Sequence, residues 1–305
     1  MTLHGIHPIV PTPFTAEGAV DTASIASLTR FMLEAGVDGL AILGVMGEAD
    51  KLSERERETV IEAYRRALPP GKNLVVGTGA AGTDVAIAFS RRAVELGADA
   101  LLVAPPPVQN DATLYAYYAR VARAVTAPIV LHDYPATTGI TMSPELIARL
   151  ANEVERIDYI KLEDPPTGPK MARIQELARP DFQILGALGG LYALEELGRG
   201  AVGIMTGFAY PELLVALYRA HVAGDGAEAE RIFYGMLPLV RFEFQPKLGV
   251  SLRKHIFVRR RAIATTVVRH PGAQADAQTL ADLERIERHL EAQGLLPRAR
   301  AVASS

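Results

Sequence analysis

The 305-residue sequence contains no cysteine. That excludes disulfides, thiolate metal sites and a cysteine nucleophile, and it fits a reducing compartment. Charge of either sign is not in excess: 32 basic residues face 35 acidic ones, so no bulk positive field invites nucleic acid. The opening stretch "MTLHGIHPIVPTPF" has neither the basic region nor the apolar segment of a signal peptide. No apolar run approaches the ~20 residues that a membrane span needs. Phosphate-loop fingerprints are missing as well, since neither G-x-G-x-x-G nor G-x-x-x-x-G-K-[ST] occurs in a strand–helix setting. The expectation is a soluble cytoplasmic protein that binds neither nucleic acid nor membrane.

What is present is an ample apolar fraction, 49% of residues, laid out as short β-type runs alternating with longer helix-type segments. The runs are "HPIVPTPF" (7–14), "GLAILGV" (39–45), "NLVVGTG" (73–79), "ALLVAPP" (100–106), "PIVLHDY" (128–134), "IDYIKLE" (157–163), "FQILGAL" (182–188) and "AVGIMTG" (201–207). Each precedes a segment with helical signals. Ile25, Leu28, Phe31 and Met32 recur at helical spacing, and Ser53 with Glu56 forms a capping-box pattern. Continuous apolar strands imply cover on both faces. Eight β-then-α units in a row predict a closed (β/α)8 barrel over residues 1–223. From 224 to 305 the pattern is helical only and predicts three helices packed on the barrel as a C-terminal extension. Its basic run "RKHIFVRRR" (253–261) suggests an anion site, but a solvated helix face or a subunit contact is the favoured reading, since such runs are common on surfaces.

A barrel of this kind places its active site at the C-terminal ends of the strands. Those ends carry Thr12, "LGVMGE" (43–48), "GTG" (77–79), "PPP" (105–107), "LHDYPATTG" (131–139), Lys161 with Glu163, "GALGG" (186–190) and "MTG" (205–207). Lys161 is the only amine among them. Burial in an apolar mouth destabilises its charged form and leaves some free amine near neutral pH. A free amine attacks a carbonyl, and the protonated imine becomes an electron sink beside the α-carbon. The competing reading is a lysine that snorkels past the strand end or pairs with Glu163. In "GVMGE", Gly44 and Gly47 let backbone N–H groups around Val45 and Met46 converge on a carboxylate. A 2-oxo acid held there presents its carbonyl to the lysine; the alternative is a tight turn without a ligand. Gly186 and Met205, at the ends of the seventh and eighth runs, join the expected substrate-binding set.

With "PIVPTPF", "GVMGE", "PATTG", "YIKLED", "GALGG" and a helical C-terminus in that order, the sequence resembles the dihydrodipicolinate synthase/N-acetylneuraminate lyase family across essentially its whole length. The resemblance implies a class I lyase that forms a Schiff base with pyruvate or another 2-oxo acid, without metal or organic cofactor, as a homotetramer built from dimers. It puts Lys161 at the imine-forming lysine and Glu48 at a structural glutamate. It also exposes departures from the family's synthases. Val45 and Met46 stand at their two threonines, Pro106 and Pro107 at a tyrosine pair, His132 at a strand-five tyrosine, and Thr137 at an arginine that grips a second substrate. Dihydrodipicolinate synthesis is therefore disfavoured. Tyr134 lies two residues past His132 and shares its face, so either side chain is a candidate proton shuttle. Glu163 shares the face of Lys161 and acts either as a general acid for a leaving hydroxyl or as the partner that orients the lysine. This pattern is similar to the family's sugar-acid dehydratases, especially 2-keto-3-deoxyarabonate dehydratases. The expected function is thus a 2-keto-3-deoxy sugar-acid dehydratase or a pyruvate-dependent aldolase. A catalytically impaired binding protein is the non-enzyme alternative. An enzyme using pyridoxal phosphate, its phosphate held by Gly186, Gly189 and Gly207, is the disfavoured one.

Overall fold

The computed structural model of the chain describes residues 2–296; Met1 and residues 297–305, the end of the expected extension, lie outside the described residues. Strands β1 (Gly5–Ile6), β2 (Gly39–Ile42), β3 (Asn73–Gly77), β4 (Ala100–Val103), β5 (Ile129–Asp133), β6 (Ile157–Leu162), β7 (Gln183–Gly186) and β8 (Gly203–Ile204) are parallel, in the order β1-β8-β7-β6-β5-β4-β3-β2. The seam between β1 and β2 is closed by a parallel bridge between Ile9 and Ala41. The result is a (β/α)8 barrel.

The first predicted strand, 7–14, is largely absent as a strand, and β1 lies just before it. Pro8, Pro11 and Pro13 have no N–H to give a ladder, so this stretch pairs only at isolated positions. The helices around the barrel are α1 (Thr22–Glu34), α2 (Glu54–Ala67), α3 (Thr83–Glu95), α4 (Asp111–Arg123), the short α5 (Pro135–Thr138), α6 (Pro144–Glu153), α7 (Thr167–Leu177), α8 (Ala193–Gly198) and α9 (Pro211–Val222). Sequence-local chemistry starts several of them: Asp21, Asn110 and Ser143 each accept from a first-turn N–H, and Ser53 with Glu56 completes the capping box before α2.

Alternation along the strands sorts side chains into two shells. Residues pointing outward, such as Ile160 and Leu162 of β6, pack against the helices. Residues pointing inward form a compact apolar plug that includes Ile9, Ala41, Val75, Leu102, Val130, Tyr159, Leu185 and Met205. Lys161 and Glu163 follow Tyr159 on the same inward face, one and two layers nearer the mouth. The plug forms the floor of the site.

Three further helices, α10 (Gly226–Glu243), α11 (Gly249–Arg259) and α12 (Ala277–Ala292), follow the last barrel helix. α10 packs on α9 and reaches the turn after β7. Gly189 in that turn has φ +71°, and a Cβ there would lie 2.4 Å from the Phe244 ring. Only glycine suits both the backbone and the close approach. The chain leaving α10 is thereby seated over the mouth of the barrel.

Candidate active site

β5 and β6 are hydrogen-bonded in a register that sets His132 directly beside Lys161. Glu163, just past the end of β6, folds back onto both. Lys161 Nζ is in direct contact with Glu163 Oε2. His132 Nε2 lies 2.9 Å from the same oxygen and 3.3 Å from Nζ. The other carboxylate oxygen accepts from the Leu188 N–H at 3.1 Å. Leu188 adopts φ +43° to make that bond, a conformation costly for a residue with a Cβ and one that clusters at functional sites.

Lys161 is 3% exposed, and burial holds its amine well below the ordinary lysine range, opposed by the charge of Glu196. Burial, reinforced by Lys161, likewise keeps the His132 imidazole neutral. An amine that sheds its proton here has Glu163 as its acceptor in direct contact. Tyr134 stacks on His132 with ring centroids 5.9 Å apart and 27° between planes, and its ring centre is 5.7 Å from Nζ. Of the two candidate shuttles, it is the imidazole that contacts both amine and carboxylate.

Glu196, on α8, was not singled out from the sequence. Its carboxyl is buried behind the lysine, and burial pushes it up to about 7. Thr167 and the Ala187 N–H stand at the margin of hydrogen-bonding geometry, so its oxygens are poorly satisfied. Gly186 accommodates it: a Cβ at that position would lie 2.3 Å from Glu196 Oε2.

A cavity of about 710 Å³ opens above this cluster, lined among others by Gly44, Val45, Met46, His132, Tyr134, Thr137, Lys161 and Glu163. Three residues expected to bind substrate lie elsewhere. Met205 is buried in the barrel plug, Gly186 faces Glu196, and Gly47 packs beside Thr12, whose hydroxyl donates to the Gly47 carbonyl at 2.7 Å. The space beside Gly186 and Gly189 is already taken by Glu196 and Phe244, so the suggested phosphate cradle does not form. Pro106 and Pro107 stay clear of the cavity; Gln109 ties their loop to Thr141 through two 2.9 Å bonds.

The "GVMGE" stretch folds as a 3-10 turn, Val45–Gly47, flanked by Leu43 at φ +55° and Glu48 at φ +53°. Glu48 holds this strained turn in place. Its carboxylate accepts from Lys254 at 2.7 Å, Lys51 at 3.0 Å and the Arg269 N–H at 2.9 Å. The expectation of a solvated or intersubunit face for 253–261 is thus corrected at its first two residues, because Arg253 and Lys254 are 4% and 0% exposed. Gly249, Leu252, Arg253, Ile256 and Phe257 are all buried. Their i, i+3, i+4 spacing was the available signal that Arg253 lies on the inward stripe of α11. Arg253 and Glu243 both reach the cavity.

An amine whose charged form is disfavoured by burial, at the mouth of a (β/α)8 barrel and beside a carboxylate that can take its proton, is the arrangement of a lysine-dependent lyase. The chain belongs to the dihydrodipicolinate synthetase family, which it matches over residues 2–290. It is 32% identical over 296 residues to the L-2-keto-3-deoxyarabonate dehydratase of Azospirillum brasilense, covering 94% of each chain. It is 29% identical to the probable 2-dehydro-3-deoxy-D-pentonate aldolase YjhH of Escherichia coli K12, over 96% of this chain and 98% of that one. Among solved structures it is similar to YagE, a prophage protein of the dihydrodipicolinic acid synthase family from Escherichia coli K12 in complex with pyruvate. That match has a TM-score of 0.90 and 28% identity, over 95% of this chain and 99% of that one. Barrel, family and enzyme class, a lyase, agree with the expectations from sequence. No helix among the described residues is long and apolar enough to cross a membrane.

Proposed function

We propose that the protein dehydrates a 2-keto-3-deoxy sugar acid through an imine on Lys161. Neutral Lys161 attacks the C2 carbonyl, and loss of water gives the protonated imine. The imine nitrogen then accepts the electron pair released when a C3 proton is removed. The resulting enamine expels the C4 hydroxyl, which leaves as water once it is protonated. Hydrolysis returns the free lysine, so the net change in the substrate is loss of one water.

The observation that carries this reading is the contact of Glu163 Oε2 with both Lys161 Nζ and His132 Nε2. The proton removed to free the amine is spent when water leaves to form the protonated imine; the C3 proton then loads the Glu163–His132 pair, which is buried and lies beside the reacting carbons. Elimination needs an acid at the departing hydroxyl, whereas aldol cleavage needs a base at the same oxygen. A site that stores a proton suits the first. The name of the Azospirillum relative supports the same choice. The aldolase name of YjhH makes cleavage the second reading, with the same lysine. Thr137 at the family arginine position argues against dihydrodipicolinate synthesis.

Borohydride reduction with pyruvate, read by peptide mass spectrometry, tests the imine. We expect label on Lys161 and none on Lys161→Ala. A folded, unlabelled wild type would remove the mechanism and leave a binding protein. Incubation with L-2-keto-3-deoxyarabonate then separates the reactions: dehydration leaves a single dehydrated product, while cleavage releases pyruvate that lactate dehydrogenase detects. A cytoplasmic homotetramer, inferred from resemblance, is part of the proposal, and a monomer in sedimentation velocity would overturn the assembly.

A further inference from the structure

We propose that Arg253 is the carboxylate anchor of this cavity, the group that receives the 2-oxo acid's C1 carboxylate in place of side-chain hydroxyls on the strand-two turn. The inference rests on the Lys161 imine reading, which supplies the substrate class.

Arg253 projects from α11 into the cavity wall. Its Nε donates to Glu243 Oε2 at 3.0 Å, and its Nη1 abuts Met46 Sδ at 2.7 Å. Its Nη2 is buried and has no hydrogen-bond partner. A guanidinium carries five N–H donors in a planar fork suited to carboxylates. Leaving the two on Nη2 buried and unused is destabilising unless a ligand completes them. Room for the head group is provided by glycine. A Cβ on Gly207 would lie 3.2 Å from Nη1 and 2.9 Å from Met46 Cγ, and one on Gly249 would lie 3.3 Å from Nη1.

The neighbouring carboxylate does not fully neutralise the arginine. Glu243 Oε2 accepts both the Arg253 Nε–H and the Ala209 N–H, the latter at 3.0 Å, while Oε1 has no partner. Burial pushes that carboxyl up to about 7, against the pull of Arg253, so the pair is positive in the protonated state.

Charge balance assigns the role. A 2-oxo acid brings a negative charge into a pocket whose carboxyl groups, Glu163 and Glu243, cannot balance it. Lys161 cannot be its counterion, because attack on the carbonyl requires the amine uncharged. His132 is held neutral, and Lys247 at the rim is exposed. Arg253 is the buried permanent cation among the described lining residues. It also touches Met46, the residue at the middle of the turn where the sequence leads one to expect the carboxylate. The turn offers that carboxylate backbone N–H groups, but its thioether and valine side chains add no donor; the guanidinium beside them does.

The test titrates wild type, Arg253→Lys and Arg253→Met with pyruvate and with methyl pyruvate, which keeps the ketone but has no carboxylate charge. Binding is read by calorimetry, and borohydride label on Lys161 is read separately. We expect Arg253→Met to weaken pyruvate binding roughly 10- to 100-fold, the scale of a charge-assisted hydrogen bond. Methyl pyruvate should move less than threefold, with Arg253→Lys in between. Unchanged pyruvate binding in either variant, or equal weakening of both ligands, overturns the anchor. Should Arg253→Met not fold, Arg253→Lys decides by the same ratio. Loss of the Lys161 label with the ligand ratio intact would instead remove the imine reading and leave the anchor standing.

Discussion

Replacing Glu163 by Gln separates the two tasks this carboxylate performs in the proposed cycle. Glutamine keeps the shape. Its carbonyl can still accept from the Leu188 N–H, which lies 3.1 Å from Glu163 Oε1, and its amide remains beside His132. What is lost is the acceptor that touches Lys161 Nζ. Burial alone already drives that amine toward its neutral form, so removing the carboxylate's charge leaves the nucleophile free rather than disabling it. Imine formation with pyruvate is therefore expected to persist within about tenfold of wild type, since the amine's nucleophilicity does not depend on Glu163. Elimination loses its proton store, and general acid–base catalysis is typically worth about 10²–10⁴ in rate. At 1.36 kcal/mol per decade this is roughly 3–5 kcal/mol of barrier. The assay pairs single-turnover dehydration of L-2-keto-3-deoxyarabonate with the rate of borohydride labelling by pyruvate. Turnover within threefold of wild type, or labelling lost in proportion to turnover, would refute the division of labour: in the first case Glu163 stores no needed proton, in the second it serves the nucleophile itself.

Two further substitutions probe the scaffold. Lys254→Met leaves Glu48 buried with Lys51 and the Arg269 N–H as its remaining partners. Breaking a buried pair from one side costs about 3–5 kcal/mol when nothing compensates, and the surviving partners bring the expectation to the lower end. Thermal unfolding should show the loss together with weaker pyruvate binding, because the Gly44–Gly47 turn loses its support; an unchanged Tm would contradict that role. Glu196→Gln addresses pH. The Glu196 carboxyl is raised from 4.5 to about 7 in the folded protein, so its contribution to stability is fully present below about 4.5 and is lost as pH rises through 7. The difference in stability between Glu196→Gln and wild type should move in favour of the variant by up to roughly 3 kcal/mol between pH 4.5 and 8. A pH-independent difference in denaturant unfolding would show that the carboxyl is not held neutral.

How much of this was readable in the sequence depends on the distance over which each signal acts. Barrel and strand-end chemistry are local. Continuous apolar runs announce two-sided burial, and period-two spacing puts Lys161 with Glu163, and His132 with Tyr134, on shared faces. The register that sets His132 beside Lys161 is not local, yet it follows once the fold is known, because neighbouring parallel strands end at one rim. Gly186 and Met205 show the limit of the same reasoning. They occupy strand ends as expected, but one layer of depth moves Met205 into the plug, and an unforeseen neighbour, Glu196, claims the space beside Gly186.

Glu243, and the burial of Arg253, were hidden for a different reason. Their helices come after the barrel pattern has ended, and nothing in the spacing of the eight units says that the chain returns across the mouth. The run "RKHIFVRRR" is dominated by charge, which hides that Arg253 and Lys254 share a stripe with Leu252, Ile256 and Phe257. Burial gives the two cations opposite fates. Lys254 is saturated by Glu48 and the Val267 carbonyl, each at 2.7 Å, and so fixes the turn. Arg253 retains an unused donor at the cavity wall. Helix α11 thus supports the strand-two turn from behind with Lys254 and, in the proposed mechanism, replaces its missing hydroxyls with the residue before it, Arg253. Losing the threonines of the synthases and gaining a buried arginine are, on this reading, two sides of one change in how the barrel holds its substrate's carboxylate.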